Sequence, residues 1–285
     1  MKGLKIGGVP EHFNLPWRLS IEERLFDAIG LELHWSDMTG GTGQMIKGLQ
    51  TGSIDIAVLL TEGITKSILE GLDAKIANIY VQTPLRWGVH VPFNSKFSSL
   101  SSLENGTFAI SRFGSGSHLM SLVHANQAGW DTSKLKFNVV GDVYGGLWAL
   151  ENNEADGFLW EKYTTKPFVD QEKCRCIGEV ITPWPCFVIA VRTEILEKYS
   201  ELINHMSKIV GNQAKKLKEN EQSTQTFAWR YHLDPEDVKL WLSETNWNYN
   251  MDFNKDSFYN IISIMNKLNL IDSRGLKNWK NELFV

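Results

Sequence analysis

The chain has 285 residues, a formal net charge of −4 and a hydrophobic fraction of 42%. This length and apolar content suffice for one large or two medium domains with a sizeable core. The slightly negative net charge excludes a nucleic-acid-binding protein with a strongly basic surface. No apolar run reaches the roughly 18 residues that a membrane span requires.

Cysteine usage and the start of the sequence bear on the cellular compartment. The three cysteines, Cys174, Cys176 and Cys186, do not make up a disulfide framework. The sequence opens without the basic stretch and apolar segment of a secretory signal. We therefore expect a cytoplasmic protein, or a periplasmic or lipid-anchored one if an N-terminal signal has been removed. The spacing of Cys174 and Cys176 fits no common zinc motif, and we expect neither a metal nor a cofactor.

Strand-like and helix-like segments alternate over the first two thirds of the chain, which predicts an α/β fold with mainly parallel sheets. The apolar runs predict strands at residues 4–8, 31–35, 54–59, 74–81, 87–91, 107–110, 136–140, 157–160 and 187–191. Helices are predicted at residues 16–28, 44–51 and from about 117, ending at Gly30, Gly52 and Gly129.

The last third of the chain has a helical pattern. An apolar stripe predicts one long helix from Glu194 to about Glu219. Asp234 is a strong helix cap with proline behind it, and Asn254 is expected to cap a further helix.

Two stretches of the sequence echo each other. Residues 43–55 run from a glycine through a short apolar helix to an aspartate and a strand, and Glu62 follows. Residues 145–156 show the same order, and Glu161 follows. Two similar βαβ lobes would produce this echo, but any α/β chain repeats such units.

Five short segments, in their order and spacing, carry a resemblance to a known family. They are Gly-Gly-Thr-Gly at 40–43, Gly-Ser-Ile-Asp-Ile-Ala at 52–57, Thr-Glu-Gly at 61–63, Trp-Glu-Lys at 160–162 and Thr-Pro-Trp-Pro at 182–185. The chain resembles, over essentially its whole length, the type 2 periplasmic-binding-protein superfamily. It is most similar to the branch that holds nitrate-, sulfonate- and taurine-binding proteins and thiamine-pyrimidine-synthesis proteins, and within that branch to a signal-less subgroup of uncertain role.

The resemblance implies two α/β lobes, joined by two crossover strands, with the ligand in the cleft between them. Lobe one would comprise residues 1–90 and 192–285, with the helical C-terminal segment packed on it, and lobe two residues 91–191. The crossings would fall near residues 88–91 and 188–191. Ligands of α/β folds bind beyond the carboxyl ends of the strands, and this rule selects the candidate loops.

Three loops of the first lobe supply candidate ligand-binding residues. The glycine loop offers backbone approach, a hydroxyl and free N–H groups at a helix start, although a tight turn with a cap would look the same. Glu62 could accept a hydrogen bond from a ligand amine or ring N–H, or cap the helix that follows. The loop after the first strand could read polar ligand edges, or be an exposed connection. The candidates are Glu11, His12, Gly40, Gly41, Thr42, Thr61 and Glu62.

The second lobe and the second crossover supply the other candidates. A serine- and glycine-rich loop before a helix suits an anion cradle, to which an arginine can add a bidentate clamp; a polar surface loop is the alternative. An aromatic residue beside an acid could stack a planar ligand and read its edge, or form the first turn of a surface helix. A tryptophan between two prolines could wall the cleft. The residues are Arg112, Ser115, Ser117, His118, Trp160, Glu161 and Trp184.

Two functions stay open at this stage. The first is a small-molecule binding protein, of the kind that serves ABC transporters, which closes two lobes over an anionic or heteroaromatic metabolite without catalysis. The alternative is a cytoplasmic biosynthetic enzyme on the same scaffold, lyase-like and of menaquinone- or thiamine-pathway type. No hydrolase triad or phosphate loop is present, and the cysteine cluster of the thiamine-pyrimidine synthases is missing. The expected partner is a small molecule, and a transporter permease if the protein serves uptake, with no nucleic acid and no membrane insertion.

Overall fold

The computed structural model describes residues 1–271 and 278–284, and its strands form two five-stranded sheets. The chain divides into two compact units. Unit 1 consists of Met1–Pro84 and Pro183–Val285, and unit 2 of Leu85–Thr182. The ten strands are β1 (Lys2–Gly8), β2 (Leu31–Asp37), β3 (Ile56–Leu60), β4 (Ala74–Val81), β5 (Arg86–Pro92), β6 (Thr107–Ile110), β7 (Lys136–Val139), β8 (Gly157–Glu161), β9 (Cys174–Ile181) and β10 (Phe187–Arg192).

Helices lie between many of these strands along the chain and follow the last one. Short 3-10 turns lie between some of the elements. None of the helices in the described part of the chain is both long enough and apolar enough to cross a bilayer. The helices are α1 (Leu15–Glu22), α2 (Gly41–Thr51), α3 (Thr61–Leu69), α4 (Gly116–Gln127), α5 (Val143–Glu151), α6 (Lys162–Asp170), α7 (Thr193–Glu219), α8 (Ser223–Tyr231), α9 (Pro235–Glu244), α10 (Tyr259–Lys267) and α11 (Trp279–Leu283).

Each sheet mixes parallel and antiparallel pairings. In unit 1 the order is β2-β1-β3-β10-β4, where β1 is parallel to β2 and β3, and β10 is antiparallel to β3 and β4. In unit 2 the order is β7-β6-β8-β5-β9, where β6 is parallel to β7 and β8, and β5 is antiparallel to β8 and β9. The prediction of mainly parallel sheets was therefore wrong for half of the pairings. The antiparallel pairings all involve β5 and β10, the strands that follow the two passages of the chain between the units.

The α/β fold class and the strand positions were predictable from the sequence. Every predicted strand is present, with its ends displaced by no more than a residue or two. Strand β9 was missed, because only Cys174 and Val180 of its residues are buried and Gly178 interrupts it. An edge strand with so few buried positions lacks the apolar alternation on which strand prediction depends.

The predicted helices differ from the observed ones in two details. The helix expected at 16–28 ends at Glu22, because Arg24 adopts a left-handed conformation (φ 57°), and a 3-10 turn at Leu25–Ile29 replaces the remainder. The long helix α7 is present but kinked at Tyr199, whose φ is −135°. The expected left-handed glycine caps are found at Gly30 and Gly52 (φ 68° and 71°).

The C-terminal helices pack on unit 1, as expected. Helix α7 contacts α1 and β4, and α11 contacts α3 and β4. The chain passes between the units at 84–85 and 182–183, so that β5 lies wholly in unit 2 and β10 wholly in unit 1. The boundaries expected from the sequence, after residues 90 and 191, lie beyond these passages.

The two sheets have the same topology, and an aspartate performs the same task in each. Asp55 precedes β3, its Oδ2 accepts from the Lys5 amide at 2.9 Å, and its own amide donates to the Lys5 carbonyl at 2.8 Å. Asp156 precedes β8 and makes the same two contacts with Thr107, both at 2.8 Å. Each aspartate thus fixes the start of its strand against the neighbouring strand, β1 or β6. This shared contact gives the sequence echo a physical basis.

Candidate functional site

In unit 1, the beginnings of α2 and α3 lie against each other. A Cβ atom placed on Gly63 of α3 would stand 2.5 Å from Cγ2 of Thr42 in α2, which is closer than real Cβ contacts come. Glycine at position 63 therefore allows this approach. Thr42 is 8% exposed, so its side chain is part of the packing at the end of the sheet as well as a candidate ligand contact.

The glycine loop forms the turn into α2 that the sequence predicts. Gly41 has a φ of +64°, a conformation that L side chains rarely adopt. The Gly40 amide donates to Oε1 of Gln44 at 2.8 Å, so a side chain of α2 satisfies the amide of the cap residue. Because Gly40 is also the cap residue, it offers no side-chain acceptor to the first turn of α2. The first-turn amides therefore depend on other partners, which a ligand could supply.

Glu62 and Trp184 form the most informative pair of unit 1. The indole Nε1 of Trp184 donates to Oε2 of Glu62 at 3.0 Å, and both side chains are buried. Next to them, the Thr61 hydroxyl donates to the Pro185 carbonyl at 2.5 Å. These contacts bring three candidates from distant parts of the sequence, Thr61, Glu62 and Trp184, to one place.

Glu62 is unusual for a buried acid because only part of its carboxylate is satisfied. Within the described chain, its Oε1 has no hydrogen-bond partner, and the side chain is only 1% exposed. Burial raises the pKa of Glu62 to about 7, although hydrogen bonds from its own backbone amide and from Trp184 act in the opposite direction. The Thr65 hydroxyl, one helical turn further along α3, is likewise buried and has no partner among the described residues.

The loop after β1 contributes an aromatic cluster. His12 is 2% exposed, stacks on Phe13 (centroids 4.7 Å apart) and meets Trp241 edge-on at 4.3 Å. Burial lowers the pKa of His12 to about 3, so the imidazole is neutral at physiological pH. Its neighbour Glu11 is half-buried at the start of a 3-10 turn. These ring contacts give His12 a packing role in unit 1, and its role in ligand binding stays a prediction.

In unit 2, three serines form a compact network between β6 and α4. Ser117 Oγ accepts from the Ser111 amide at 3.0 Å and lies 3.0 Å from Ser115 Oγ. Ser115 is the N-cap of α4, and its hydroxyl accepts from the His118 amide at 3.3 Å. The predicted loop is thus built at a helix N-terminus, where partial positive charge favours an anion. Much of its hydroxyl capacity, however, holds the loop itself in place.

His118 and Arg112 flank this network. His118 Nδ1 accepts from the Gly114 amide at 3.2 Å, which places the proton of the neutral ring on Nε2. Burial lowers the pKa of His118, so the neutral form is favoured and Nε2–H is a donor. Arg112 is half-buried, and desolvation lowers its pKa. Because the ordinary pKa of arginine is so high, the guanidinium still stays charged at neutral pH. The loop therefore carries one cation and one neutral donor.

Trp160 and Glu161 have structural tasks in unit 2. Glu161 is the N-cap of α6, and its Oε2 accepts from the Thr164 amide at 2.6 Å and from the Thr164 hydroxyl at 2.8 Å. Burial raises the pKa of Glu161 to about 7. The Trp160 ring lies 5.4 Å from that of Phe158 and packs against the core of unit 2. Glu161 thus caps a helix and Trp160 packs on the core of unit 2, and their role as ligand contacts stays a prediction.

Sequence reasoning missed two buried polar residues, Thr65 and His90. His90 is 1% exposed, its Nε2 lies 2.8 Å from the Thr165 hydroxyl, and burial lowers its pKa to about 4. His90 lies in an apolar run whose pattern predicts only a strand. Thr65 could have been found from its position three residues after Glu62, since residues so spaced share a helix face.

A cavity of about 410 Å³ in unit 1 lies away from these residues, among the C-terminal ends of α2 and α3 and the end of β10. Its cation, Arg192, is 2.9 Å from Glu194 and 3.8 Å from Asp55. Because this charge is already compensated, we assign the cavity no part in the candidate site.

The topology matches a known fold. Two α/β units of equal strand order, joined by two passages of the chain, form the two-lobe fold of the type 2 periplasmic binding proteins. A family model described as Ca3427-like PBP matches residues 87–180, about a third of the chain. No curated protein matches the chain.

Solved structures extend this likeness to the whole chain. The CA3427 gene product of Candida albicans, described as defining a new family with the generic periplasmic binding protein fold, has a TM-score of 0.91 at 22% identity, and the match covers 100% of this chain and 96% of that one. The alkanesulfonate-binding protein SsuA of Xanthomonas axonopodis pv. citri, bound to MOPS, has a TM-score of 0.77 at 14% identity, with 95% of each chain covered. The aliphatic sulphonate-binding SsuA of Escherichia coli has a TM-score of 0.75 at 16% identity, covering 96% and 94%. The predicted resemblance is therefore confirmed at the level of the fold.

Proposed function

We propose that this protein is a solute-binding protein that holds a small polar metabolite at the loops beyond the carboxyl ends of its strands. The observation that carries the proposal is the Glu62–Trp184 pair at the beginning of α3, where a buried carboxylate keeps one oxygen without a partner in the described chain. A buried polar atom without a hydrogen-bond partner lowers the stability of the fold. Such an atom is typically kept where it serves a binding site. The fold adds support, because the loops at these strand ends are where α/β proteins bind ligands.

Each unit contributes its own set of proposed ligand-contacting residues. In unit 1 they are Thr42, Thr61, Glu62 and Trp184, with the first-turn amides of α2. In unit 2 they are Arg112, Ser115, Ser117 and His118 at the start of α4. The unit 1 residues offer a hydrogen-bond acceptor, and the unit 2 residues offer hydrogen-bond donors and one positive charge. We propose that the ligand is an anionic or heteroaromatic metabolite, and that a permease is its further partner if the protein serves uptake. The cytoplasmic location expected from the sequence stays a prediction.

The test is to recover the bound molecule. Protein purified without added ligand is denatured, and the released small molecules are identified by mass spectrometry. A stoichiometric metabolite that binds again to the refolded protein would support the proposal. If no molecule copurifies, and none in a library of polar metabolites raises the melting temperature, the proposal fails.

An enzymatic function is the second candidate, and one observation favours it. The pKa of Glu62, raised to about 7 by burial, is near the value at which a carboxyl exchanges protons at neutral pH. Incubating the recovered metabolite with the protein separates the two functions. A binding protein returns the molecule unchanged, whereas an enzyme converts it at a rate that Glu62→Gln abolishes.

A further inference from the structure

The two buried acids at the β3–α3 and β8–α6 junctions differ in how their carboxylates are hydrogen-bonded. Glu161 is the cap residue of α6 and receives two hydrogen bonds from Thr164. The residue at the corresponding cap position of α3 is Leu60, so Glu62 stands two positions inside its helix and does not act as the cap. Glu62 therefore lacks the N-cap task of Glu161, and the one local hydrogen bond that its carboxylate accepts comes from its own backbone amide.

Glu62 also lacks a compensating charge. In the described part of the chain no lysine, arginine or histidine forms an ion pair with it, and the Trp184 indole is a neutral donor. A buried carboxylate without a cation or full hydrogen bonding is costly, and a cationic donor would remove that cost. Hydrogen bonds from a charged donor to a carboxylate are about twice as strong as neutral ones.

A second polar atom lies on the same helix face. The Thr65 hydroxyl is fully buried and has no partner in the described chain. Its position, one turn from Glu62, places the two groups side by side on α3. A hydroxyl and a carboxylate oxygen together can accept two N–H groups from one donor.

We propose that Glu62 Oε1 and the Thr65 hydroxyl together bind a cationic nitrogen group of the ligand, such as an ammonium or an amidinium, which carries at least two N–H donors. This inference rests on the proposed function and specifies one end of its ligand. It predicts that a ligand head group with only acceptor oxygens does not bind at this position.

The test uses four probes that share one phenyl ring and differ in the head group. Benzylammonium and benzamidinium carry the proposed group, whereas benzoate and benzenesulfonate carry only acceptors. Binding is measured by titration calorimetry to the wild type, Glu62→Gln, Thr65→Val and the control Glu104→Gln. Glu104 is an exposed acid of unit 2, so the control makes the same change of charge away from the site.

We expect the two cationic probes to bind the wild type and the control equally, and at least tenfold more weakly to Glu62→Gln. Thr65→Val should weaken benzamidinium severalfold. If Glu62→Gln does not fold, Glu62→Asp takes its place, because the shorter side chain withdraws the carboxylate and should also weaken the cationic probes.

Three results would overturn the inference. In the first, the cationic probes bind Glu62→Gln as well as they bind the wild type. In the second, only benzoate and benzenesulfonate bind. The first result means that the cationic group binds elsewhere, and the second that the protein binds another class of ligand; the proposed function stands in both. In the third, no probe binds and no molecule is released from the denatured protein, so the proposed function fails together with the inference.

Discussion

The indole of Trp184 and the carboxylate of Glu62 meet at 3.0 Å, although 122 positions separate them in the chain. The contact joins the first turn of α3 to the loop that leads into β10. The other oxygen, Oε1, stays buried without a hydrogen-bond partner in the described chain.

Replacing Trp184 with phenylalanine tests this contact. Trp184→Phe keeps a buried aromatic ring but removes the donor, so the carboxylate loses a hydrogen bond. We expect the free energy of unfolding at pH 8 to fall by about 1–3 kcal/mol, and the pKa of Glu62 to rise above 7. Denaturant unfolding and a ¹³C NMR titration of the carboxyl measure the two effects. An unchanged pKa would show that the indole does not stabilise the charged form.

The pH dependence of stability follows from the raised pKa of Glu62. The folded state releases this proton near pH 7, and the unfolded chain near the ordinary value of 4.5. The contribution of Glu62 is therefore most favourable below pH 4.5 and declines as the pH rises to 7. Glu62→Gln removes this dependence, so the variant should gain about 3 kcal/mol relative to the wild type between pH 4.5 and pH 8. Parallel stability curves of the two proteins would contradict the prediction.

Glu161 provides the contrast, because it serves as a cap. Glu161→Ala should lower the free energy of unfolding by about 1–2 kcal/mol at pH 5, since the amide and hydroxyl of Thr164 lose their acceptor. At that pH Glu62→Gln should change stability little. Equal losses for the two variants would show that Glu62 also has a structural task.

The approach of α2 and α3 can be tested by adding and removing one methyl group. Gly63→Ala places a Cβ 2.5 Å from Thr42 Cγ2 and should cost about 1–3 kcal/mol by overpacking. Thr42→Ser removes that methyl, so the double variant should recover the loss and gain the roughly 1 kcal/mol by which alanine exceeds glycine in a helix. Thermal unfolding of the single and double variants measures this. Additive effects would mean that the two residues do not touch.

The serine network of unit 2 depends on Ser117. Ser117→Ala leaves the buried amide of Ser111 without its acceptor, and we expect a loss of about 1–3 kcal/mol. Ser133→Ala, which removes an exposed hydroxyl bonded to Asp131, is the matched control and should cost less than 1 kcal/mol. Amide exchange at Ser111 should quicken in the first variant alone.

Ligand binding should change the dimensions of the molecule in solution. The resemblance stated from the sequence implies closure by hinge motion, so the radius of gyration from X-ray scattering should fall when the recovered metabolite is added. Identical curves with and without the metabolite would show that binding involves no such closure.

The sequence by itself determined nine of the ten strands described, the glycine caps and the order of the motifs. A strand with buried residues, such as Phe187–Arg192, or a glycine such as Gly52 that must take a left-handed conformation, leaves a local pattern that holds in almost any surroundings. The direction of β10 between β3 and β4 left no such pattern, and the prediction of mainly parallel sheets was wrong for that reason.

Tertiary structure alone decided the tasks of Glu62 and Glu161. Both acids lie where an apolar strand ends and a helix begins, and locally they look alike. Their difference arises because one carboxylate is met by its own helix at Thr164, whereas the other is met by Trp184 from a loop far along the chain. Local sequence specifies backbone conformation through short-range sterics and hydrogen bonding. Burial and long-range partners set the pKa of a side chain and decide which of its polar atoms are hydrogen-bonded, and they exist only once the chain has folded.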